Sequence, residues 1–275
     1  MPDRPWVTIL MRKFDALPAR MPQLAGDPTR DDSIADPALG PTITAMNRPL
    51  LLGHRGARAS RAFPENTFPS FDLALQHGCD GFEFDVRRTA DGQAVICHDP
   101  VWHSPSAQHG HRNGISISSA QRKEMSGLPS LSEVLSRYRS SAFLDVELKV
   151  TNLAQSLIFA LQSSRPGPGI VVTSFLPEAV REVHTADAKL PLGLICQTPA
   201  QFEAWRELPV DYVMAHHALV TRESVATLKS MGKQVVVWTV NHPDAMRRFA
   251  DWGVSGIISD ETELLVKTLG KRDSA

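Results

Sequence analysis

The sequence predicts an α/β fold, an irregular (β/α)8 TIM barrel, and three observations support that prediction. From residue 49 onward, short apolar runs rich in β-branched residues alternate with segments of helical periodicity. The apolar runs lack a regular polar alternation, which suits a parallel sheet covered on both faces. The 275 residues allow one large domain or two small ones, and repeated βα units on this scale favour the barrel.

Nine segments are predicted to be strands, one more than a barrel of this kind requires. They are Leu50–His54, Gly81–Val86, Ala94–His98, Phe143–Glu147, Ile170–Thr173, Leu192–Cys196, Tyr212–Ala215, Gln234–Val240 and Gly256–Ser259. Since the barrel has eight strands, one of the nine is expected to be a short addition or a misassignment.

Helices are predicted between most of these strands, where apolar residues recur at intervals of three and four. They are Thr67–Gln76, Leu131–Arg139, Leu153–Ser163, Pro177–Thr185, Pro199–Glu207, Thr221–Met231 and Pro243–Trp252. The segment between Asp85 and His98 holds only twelve residues and contains the turn signal Ala90-Asp91-Gly92. It is too short for a helical crossover, so either a helix is missing there or two strands form a hairpin.

Two regions fall outside the βα pattern. Residues 1–48 hold seven of the twenty prolines and no hydrophobic period, which predicts an irregular or disordered amino-terminal extension before a barrel over residues 49–270. Residues 99–127 are rich in Ser, His, Gly and Pro. They predict a small loop insertion after the third strand, at the catalytic end of the barrel.

Composition excludes some classes of protein. With 29 basic and 30 acidic side chains, the formal net charge is −1, which does not favour a nucleic-acid partner. Cys79, Cys97 and Cys196 are too few and too widely spaced for a disulfide framework or a zinc site. The sequence shows neither a membrane span nor a secretory signal, so we expect a cytoplasmic protein. Oligomeric state is not readable from one sequence.

Two acidic residues share one face of the second predicted strand. Glu83 and Asp85 are one residue apart in an extended segment, so their side chains point the same way. Two carboxylates inside an apolar strand repel each other unless a positive charge lies between them. Glu147 has the same character, and Asp145 shares its face. Hard oxygen ligands of this kind suit Mg²⁺ or Ca²⁺ better than zinc.

An alternative is that these acids form buried salt bridges with arginines such as Arg55, Arg87 or Arg88, because ion-pair networks also occur at barrel ends. Two histidines weigh against that alternative. His54 and His98 each end a predicted strand beside the strands that carry the carboxylates. One histidine in an apolar strand is more often a hydrogen-bonded core residue, whereas two at this edge fit a general acid and a general base.

Nine short motifs occur in order along the chain. They are His54-Arg55-Gly56, Pro64-Glu65-Asn66-Thr67, Glu83-Phe84-Asp85-Val86, His98-Asp99, Leu128-Pro129-Ser130-Leu131, Glu147-Leu148-Lys149, Ser174-Phe175, Trp238-Thr239-Val240-Asn241 and Gly256-Ile257-Ile258-Ser259-Asp260. Together they closely resemble the glycerophosphodiester phosphodiesterase family over about residues 49 to 268. No single motif is decisive, but their order and spacing are specific.

The resemblance implies a phosphatidylinositol-phospholipase-C-like barrel that hydrolyses a small-molecule glycerophosphodiester to glycerol 3-phosphate and an alcohol. It also implies an acid–base pair, the ligands of one divalent cation (Mg²⁺ or Ca²⁺) and a set of substrate contacts. The acid–base pair would be His54 and His98. The cation ligands would be Glu83, Asp85 and Glu147. The substrate contacts would be Arg55, Lys149, Glu65 and Trp238. Arg55 and Lys149 are expected at the phosphate, Glu65 in or next to the cation site, and Trp238 on the pocket wall near the glycerol.

The insertion departs from the family pattern, because the run from Pro100 to Ser104 stands where many members have a leucine and an Arg-Thr-Thr-like stretch. This leaves the specificity for the alcohol open. His103, His109 and His111 would form a second metal site only if the loop held them together, and their irregular spacing favours solvated side chains. His216 would face the pocket if its strand ends there.

Two alternative functions stay open. A lysophospholipase D or a phospholipase-C-like enzyme would use the same histidines and cation, and it would need an apolar channel for an acyl chain. Trp102, Phe63 and Phe175 are candidates for such a channel. A non-catalytic phosphodiester-binding protein would be expected to lack a histidine or a cation ligand, and none is missing from this sequence.

Overall fold

The computed structural model of the chain describes residues 48–103 and 114–270. Strands in this part of the chain are numbered in sequence order. They are β1 Leu50–Gly53, β2 Gly81–Arg88, β3 Ala94–Ile96, β4 Val101–Trp102, β5 Ile115–Ser116, β6 Phe143–Leu148, β7 Gly169–Ser174, β8 Leu192–Cys196, β9 Tyr212–His216, β10 Gln234–Trp238 and β11 Gly256–Ser259.

Eight of these strands form a closed parallel barrel. The order around the ring is β1, β11, β10, β9, β8, β7, β6 and β2, and pairing between β1 and β2 closes it. The predicted (β/α)8 barrel is therefore confirmed, and each of the nine predicted strands is present. The extra one is β3, which pairs antiparallel with β2. The hairpin is thus the correct choice for the short segment between Asp85 and His98.

Helices follow most barrel strands and cover the outside of the sheet. They are α1 Phe68–Gln76, α2 Leu131–Tyr138, α3 Ala154–Gln162, α4 Pro177–Ala186, α5 Pro199–Ala204, α6 Arg222–Ser230, α7 Pro243–Asp251 and α8 Thr262–Leu269. The first seven match the predicted helices closely. Side-chain caps explain part of this match, because Ser130, Thr198 and Thr221 each accept a hydrogen bond from a backbone N–H three residues on.

The eighth helix was not predicted. Its first turn follows Glu261, whose side chain makes no capping hydrogen bond. The segment therefore lacks the start signal that marks several of the other helices. The helix is stabilised by packing against the barrel, where Leu265 is fully buried, and this packing is not evident from the local sequence.

The strands divide their side chains between two hydrophobic cores. Phe82, Phe84 and Val86 belong to the outer core under the helices, where the Phe82 ring stacks on Phe71 with 4.3 Å between centroids. Leu52 belongs to a smaller core inside the barrel. The apolar residues of β2 therefore lie on the face opposite to Glu83 and Asp85. The inward positions near the carboxyl ends of the strands are polar, which leaves the top of the barrel for a site.

The insertion after β3 packs on itself and on the β2–β3 hairpin. In its described part, β4 pairs antiparallel with β5, and two short 3-10 turns follow. A separate small core underlies it, formed by Val95, Trp102, Ile117, Ala120 and Met125. The predicted loop insertion over residues 99–127 therefore contains local structure of its own outside residues 104–113.

The predicted amino-terminal extension lies outside the described residues except for Arg48. Arg48 belongs to the barrel, because its guanidinium donates to both carboxylate oxygens of Asp80, at 2.6 and 2.9 Å. Among the described residues, none of the helices has the length and apolar character needed to cross a bilayer. The three cysteines are free thiols, and burial is the main cause that raises the pKa of Cys79 and Cys196 to about 12.

Candidate active site

A cavity of about 320 Å³ lies at the carboxyl ends of the barrel strands. Its wall combines ionisable residues on one side with apolar residues on the other. The lining residues are His54, Arg55, Glu83, His98, Asp145, Glu147, Lys149, Phe175, Ile195, Gln197, Met214, Trp238 and Ile258. Both predicted histidines therefore meet in one cavity with most of the predicted cation and substrate residues. Asp85 is fully buried beside it.

Three carboxylates converge at this cavity. Glu83 and Asp85 come from β2, and parallel pairing puts Asp85 opposite Glu147 on β6. One oxygen of each lies within 4.8 Å of the others, and the three residues are at most 7% exposed. In each, one buried oxygen has no hydrogen-bond partner in the part of the chain that the structure describes. Unpartnered buried oxygens are costly, so this donor set fits a hard divalent cation.

Basic side chains neutralise only part of this charge. Arg55 Nε lies 3.1 Å from Asp85 Oδ2, and Lys149 Nζ lies 3.3 Å from Asp85 Oδ1. Lys149 Nζ also lies 2.7 Å from Glu147 Oε1, as an ion pair outside hydrogen-bond geometry. These two cations face four carboxylates once Asp145 is counted, so negative charge remains. The salt-bridge alternative accounts for Arg55 but leaves the site short of positive charge.

The pKa values of the carboxyl groups reflect this imbalance. Burial opposes the ionisation of Asp85, but Arg55 and Lys149 outweigh it and hold the pKa of that carboxyl below its usual range. Burial and the neighbouring acids, Asp85 foremost, raise the pKa of Glu83 well above its usual value. Burial is also the main cause that raises the pKa of Glu147 to about 7. Cation binding would favour the ionised forms and release protons.

His54 directly follows β1 and is held on one side by Asp260. Its Nδ1 lies 2.7 Å from Asp260 Oδ1, and its Nε2 lies 3.9 Å from Glu83 Oε2. Asp260 also accepts hydrogen bonds from Asn241 Nδ2 at 2.8 Å and Arg58 Nη1 at 3.3 Å. Burial opposes the charge on Asp260, but these partners outweigh it and lower its pKa to about 2. A carboxylate at Nδ1 favours the tautomer protonated there, with Nε2 toward Glu83.

His98 reaches the cavity from the hairpin rather than from a barrel strand. The strand predicted to end at His98 ends two residues earlier, at Ile96, and it runs antiparallel to β2, as the hairpin alternative requires. Cys97 N donates to Asp85 O at 3.0 Å, and Arg87 Nε donates to His98 O at 2.7 Å. His98 Nδ1 lies 2.8 Å from Asp99 Oδ1. Burial is the main cause that lowers the pKa of His98, which favours a neutral ring near pH 7.

Glu65 contacts arginines and does not line the cavity. Its Oε1 accepts from Arg55 Nη1 at 2.7 Å, and its Oε2 accepts from Arg58 Nε at 2.6 Å. Arg55 in turn donates its backbone N–H to Glu83 Oε2 at 2.9 Å. Glu65 therefore holds the guanidinium of Arg55 in place beside the carboxylate cluster and does not belong to that cluster.

Asn66 was given no role by sequence reasoning, yet it brackets Asp85. Its Nδ2 donates to Asp85 Oδ2 at 2.8 Å, and its Oδ1 accepts from Asp85 N at 3.3 Å. It is 5% exposed and has a left-handed backbone with φ of 58°, a conformation that asparagine tolerates better than most residues. Its place in the Pro64-Glu65-Asn66-Thr67 motif was the one feature of the sequence that could have marked Asn66 as a site residue.

Aromatic side chains form the opposite wall. Trp238 packs edge-on against Phe175, with 5.7 Å between centroids, and its Nε1 donates to Met214 O at 2.9 Å. Lys149 Nζ lies 5.7 Å from the Phe175 ring centroid. Trp238 thus lies on the wall, as expected. His216 packs against the edge of Trp238 at 5.4 Å and does not line the cavity.

Several other candidates lie away from this cavity. Of the three aromatic residues considered for an acyl channel, only Phe175 lines it. Trp102 is buried in the core of the insertion, and Phe63 is exposed on the loop after β1. His109 and His111 fall outside the described residues. That the histidines of this loop are solvated, and do not form a second metal site, therefore stays a prediction.

Asp145 and Asp260 are the acidic residues whose place sequence reasoning left unassigned. Asp145 lies inside the barrel, where Thr173 Oγ1 donates to its Oδ1 at 2.7 Å. Burial is the main cause that raises the pKa of Asp145 to about 7. The face it shares with Glu147 was a usable signal in the sequence. Asp260 offered a weaker one, namely a polar residue directly after the last predicted strand.

Known proteins resemble this chain along the barrel. The model of the glycerophosphoryl diester phosphodiesterase family matches residues 54–264. A glycerophosphodiester phosphodiesterase from Caldanaerobacter subterraneus is 27% identical over 241 residues, which cover 81% of this chain and 98% of that protein. A solved Oleispira antarctica phosphodiesterase, in complex with the product sn-glycerol-3-phosphate, has a TM-score of 0.68 at 22% identity. The matched region covers 80% of this chain and 96% of the Oleispira chain. The Thermotoga maritima glycerophosphodiester phosphodiesterase has a TM-score of 0.66 at 22% identity, with 80% and 97% covered.

Proposed function

The chain belongs to the glycerophosphoryl diester phosphodiesterase family and hydrolyses glycerophosphodiesters, and we propose that it does so with one divalent cation and with His54 and His98 as its acid–base pair. The products are glycerol 3-phosphate and an alcohol. In support, the related phosphodiesterase from Oleispira antarctica was solved with the product sn-glycerol-3-phosphate.

One observation carries the proposal. Three buried carboxylates bring one oxygen each to within 4.8 Å of the others, and both histidines line the same cavity. A purely structural ion-pair network would satisfy its buried oxygens. Among the described residues, Glu83 Oε1 has neither a hydrogen bond nor an ion-pair partner, and Asp85 Oδ1 and Glu147 Oε1 share the single ammonium group of Lys149. The arrangement is therefore better explained by a ligand than by stability.

The cation would be held by Glu83, Asp85 and Glu147. Three carboxylates that leave room for water and for substrate oxygens suit Mg²⁺ or Ca²⁺. When bound, the cation supplies a Lewis acid that withdraws negative charge from the phosphate. Asn66 serves the same set indirectly, because its two hydrogen bonds fix the rotamer of Asp85.

The phosphate would be contacted by Arg55 and Lys149. Both line the cavity, and both are half or more enclosed in the folded chain. Burial disfavours the charge on Lys149, but Glu147 and Asp85 outweigh it and raise the pKa of the ammonium group above its usual value. Lys149 thus stays cationic over the physiological range and can bind a phosphodiester anion.

Proton transfer would pass through the Nε2 atoms of the two histidines. In both rings Nδ1 is engaged, by Asp260 in His54 and by Asp99 in His98. One ring takes a proton from the nucleophile, which is water or a neighbouring substrate hydroxyl, and the other gives a proton to the leaving alkoxide. Loss of either step is expected to slow turnover by about 10²- to 10⁴-fold.

The proposal is tested on a panel of glycerophosphodiesters with choline, ethanolamine, glycerol and inositol head groups, scored for the alcohol released. His54→Ala and His98→Ala should lose activity by that factor while circular dichroism shows an intact fold. His184→Ala, on the outer helix α4, is the matched control and should keep normal turnover. Near-normal turnover in either site variant would refute the acid–base pair.

Cation dependence is tested separately by exhaustive chelation of the wild-type protein. Activity should be lost and should return on addition of Mg²⁺ or Ca²⁺. Full turnover in the chelated protein, with the cation content verified by elemental analysis, would reject the role of Glu83, Asp85 and Glu147 as cation ligands.

A further inference from the structure

Beyond the two histidines, the cation ligands and the phosphate contacts, the described cavity wall is mostly apolar. Phe175, Trp238 and the aliphatic side chains around them offer no hydrogen bond to a polyol. Two polar side chains interrupt this half of the described wall, Gln197 and Asp145. Gln197 is exposed at the rim, whereas Asp145 is 1% exposed. Apart from the proposed cation ligand Glu83 at the same level, a hydroxyl group that enters the depth of the cavity therefore meets one polar side chain of the described wall, Asp145.

The position of Asp145 is fixed by the barrel. It lies on β6 one inward-facing residue below Glu147, and the strand register puts it opposite Glu83. Thr173 on β7 donates to Oδ1 at 2.7 Å and is its hydrogen-bond partner among the described residues. This bond sets the rotamer and leaves the second carboxylate oxygen to accept from a ligand. A buried acceptor of this kind favours a donor and disfavours an apolar group in its place.

The shape of the substrate indicates which hydroxyl group of glycerol would meet Asp145. The phosphate would be held at Arg55 and Lys149, at the top of the barrel. In a glycerol 3-phosphoryl group the second hydroxyl is close to the phosphate, and the terminal hydroxyl is the farthest from it. The terminal hydroxyl is therefore the one that reaches deepest, past the aromatic wall of Phe175 and Trp238.

Building on the function proposed above, we propose that Asp145 determines specificity for glycerol by accepting a hydrogen bond from its terminal hydroxyl. Asp145 is thus a specificity-determining residue of the same cavity and not a fourth cation ligand. Because an analogue without that hydroxyl leaves this buried acceptor unpaired, glycerol is expected to be favoured over it by about 10- to 100-fold in kcat/KM.

Two chromogenic diesters with the same leaving group test the proposal, glyceryl p-nitrophenyl phosphate and 2-hydroxypropyl p-nitrophenyl phosphate. They differ only in the terminal hydroxyl, and both keep the hydroxyl next to the phosphate. The wild-type protein should prefer the glyceryl diester by that factor. Asp145→Leu should bring the preference close to one, and Asp145→Asn should reduce it several-fold, mainly through KM. If the leucine variant does not fold, the asparagine variant decides.

The matched control is Glu147→Gln, on the next inward position of the same strand. It should slow both diesters equally and keep the preference. A wild-type preference that survives in both folded Asp145 variants would overturn the proposal, as would an equal loss on both diesters with an altered cation dependence. If the wild-type protein hydrolysed neither diester nor the natural glycerophosphodiesters, the proposed function itself would fail. Activity on the natural substrates without preference between the two diesters would overturn the Asp145 proposal alone.

Discussion

Replacing Asp260 by Asn would remove one negative charge next to His54 while keeping the size of the side chain. Asp260 does not line the cavity, but it lies 2.7 Å from His54 Nδ1. Asn241 donates to its second oxygen, Oδ2, and Arg58 donates to Oδ1, the oxygen that also contacts His54. The variant therefore tests whether Asp260 positions His54 for proton transfer, separately from substrate binding.

The structure sets the size of the effect. Burial opposes the charge on Asp260, yet His54, Asn241 and Arg58 lower its pKa from 3.8 to about 2. At about 1.4 kcal/mol for each pKa unit, this difference corresponds to ~2 kcal/mol of stabilisation. Because the folded-state pKa is lowered, the stabilisation is complete above the usual value near 4 and is lost as the pH falls toward 2. At pH 7 we expect the free energy of unfolding of Asp260→Asn to be ~2 kcal/mol lower than that of the wild-type protein.

If the contacts of Asp260 serve mainly to hold the His54 ring in its catalytic orientation, the loss of ~2 kcal/mol should lower kcat about 10- to 30-fold. KM should be nearly unchanged. ¹⁵N NMR of the imidazole reports the tautomer directly, and we expect the Nδ1-protonated form in the wild-type protein and a mixture in the variant. Asp72→Asn is the matched control, since Asp72 accepts from Tyr138 and Arg137 on the outer surface. It should lower stability without lowering kcat. An Asp260→Asn protein with wild-type kcat and an unchanged tautomer would refute the reasoning.

Three further outcomes are expected. Mg²⁺ or Ca²⁺ at about 100 times its dissociation constant should stabilise the wild-type protein by ~3 kcal/mol and raise Tm, whereas Glu83→Gln should show little shift; equal shifts in both would contradict the cation site. Asn66→Ala should weaken cation affinity while the circular dichroism spectrum stays native, because Asp85 loses two hydrogen bonds; isothermal titration would show unchanged affinity if Asn66 has no such role. Phe82→Ala should cost ~3–5 kcal/mol of unfolding free energy because it opens a cavity under the stacked Phe71 ring, and denaturant titration would disprove this with a loss below ~1 kcal/mol.

The fold was largely predictable because each barrel strand carries its own signal. A run of apolar β-branched residues followed by a capped helix predicts a strand and a helix from local sequence alone, and the barrel contains the same two elements. The strand β3 was the exception. Its three residues Ala94–Ile96 are apolar in either orientation, so the local sequence gave no direction. Only the short connection from β2 limited the choices, and the hydrogen bonds of the ladder resolved them.

The candidate site was predictable where one strand holds the partners. Glu83 and Asp85 share a face because alternate residues of a strand do, and no other part of the chain is needed to infer that. His54 and Asp260 are 206 residues apart in the sequence. They meet because β11 pairs with β1 as the barrel closes, and the sequence carries no local trace of that pairing. Contacts made by closure, such as this one, are for this reason among those that sequence reasoning missed.

The β2–β3 hairpin gives the two histidines different mechanical support. His54 continues a strand that is paired on both sides within the ring. His98 follows a three-residue strand that pairs with β2 on one side and has a single bridge, from Val95 to Ser130, on the other. Segments with few neighbours open at lower free energy than the global transition. Mild denaturant should therefore separate the two rings while the barrel is still folded. Activity would then be lost before the far-ultraviolet signal of the helices, and hydrogen exchange would be fastest in the hairpin.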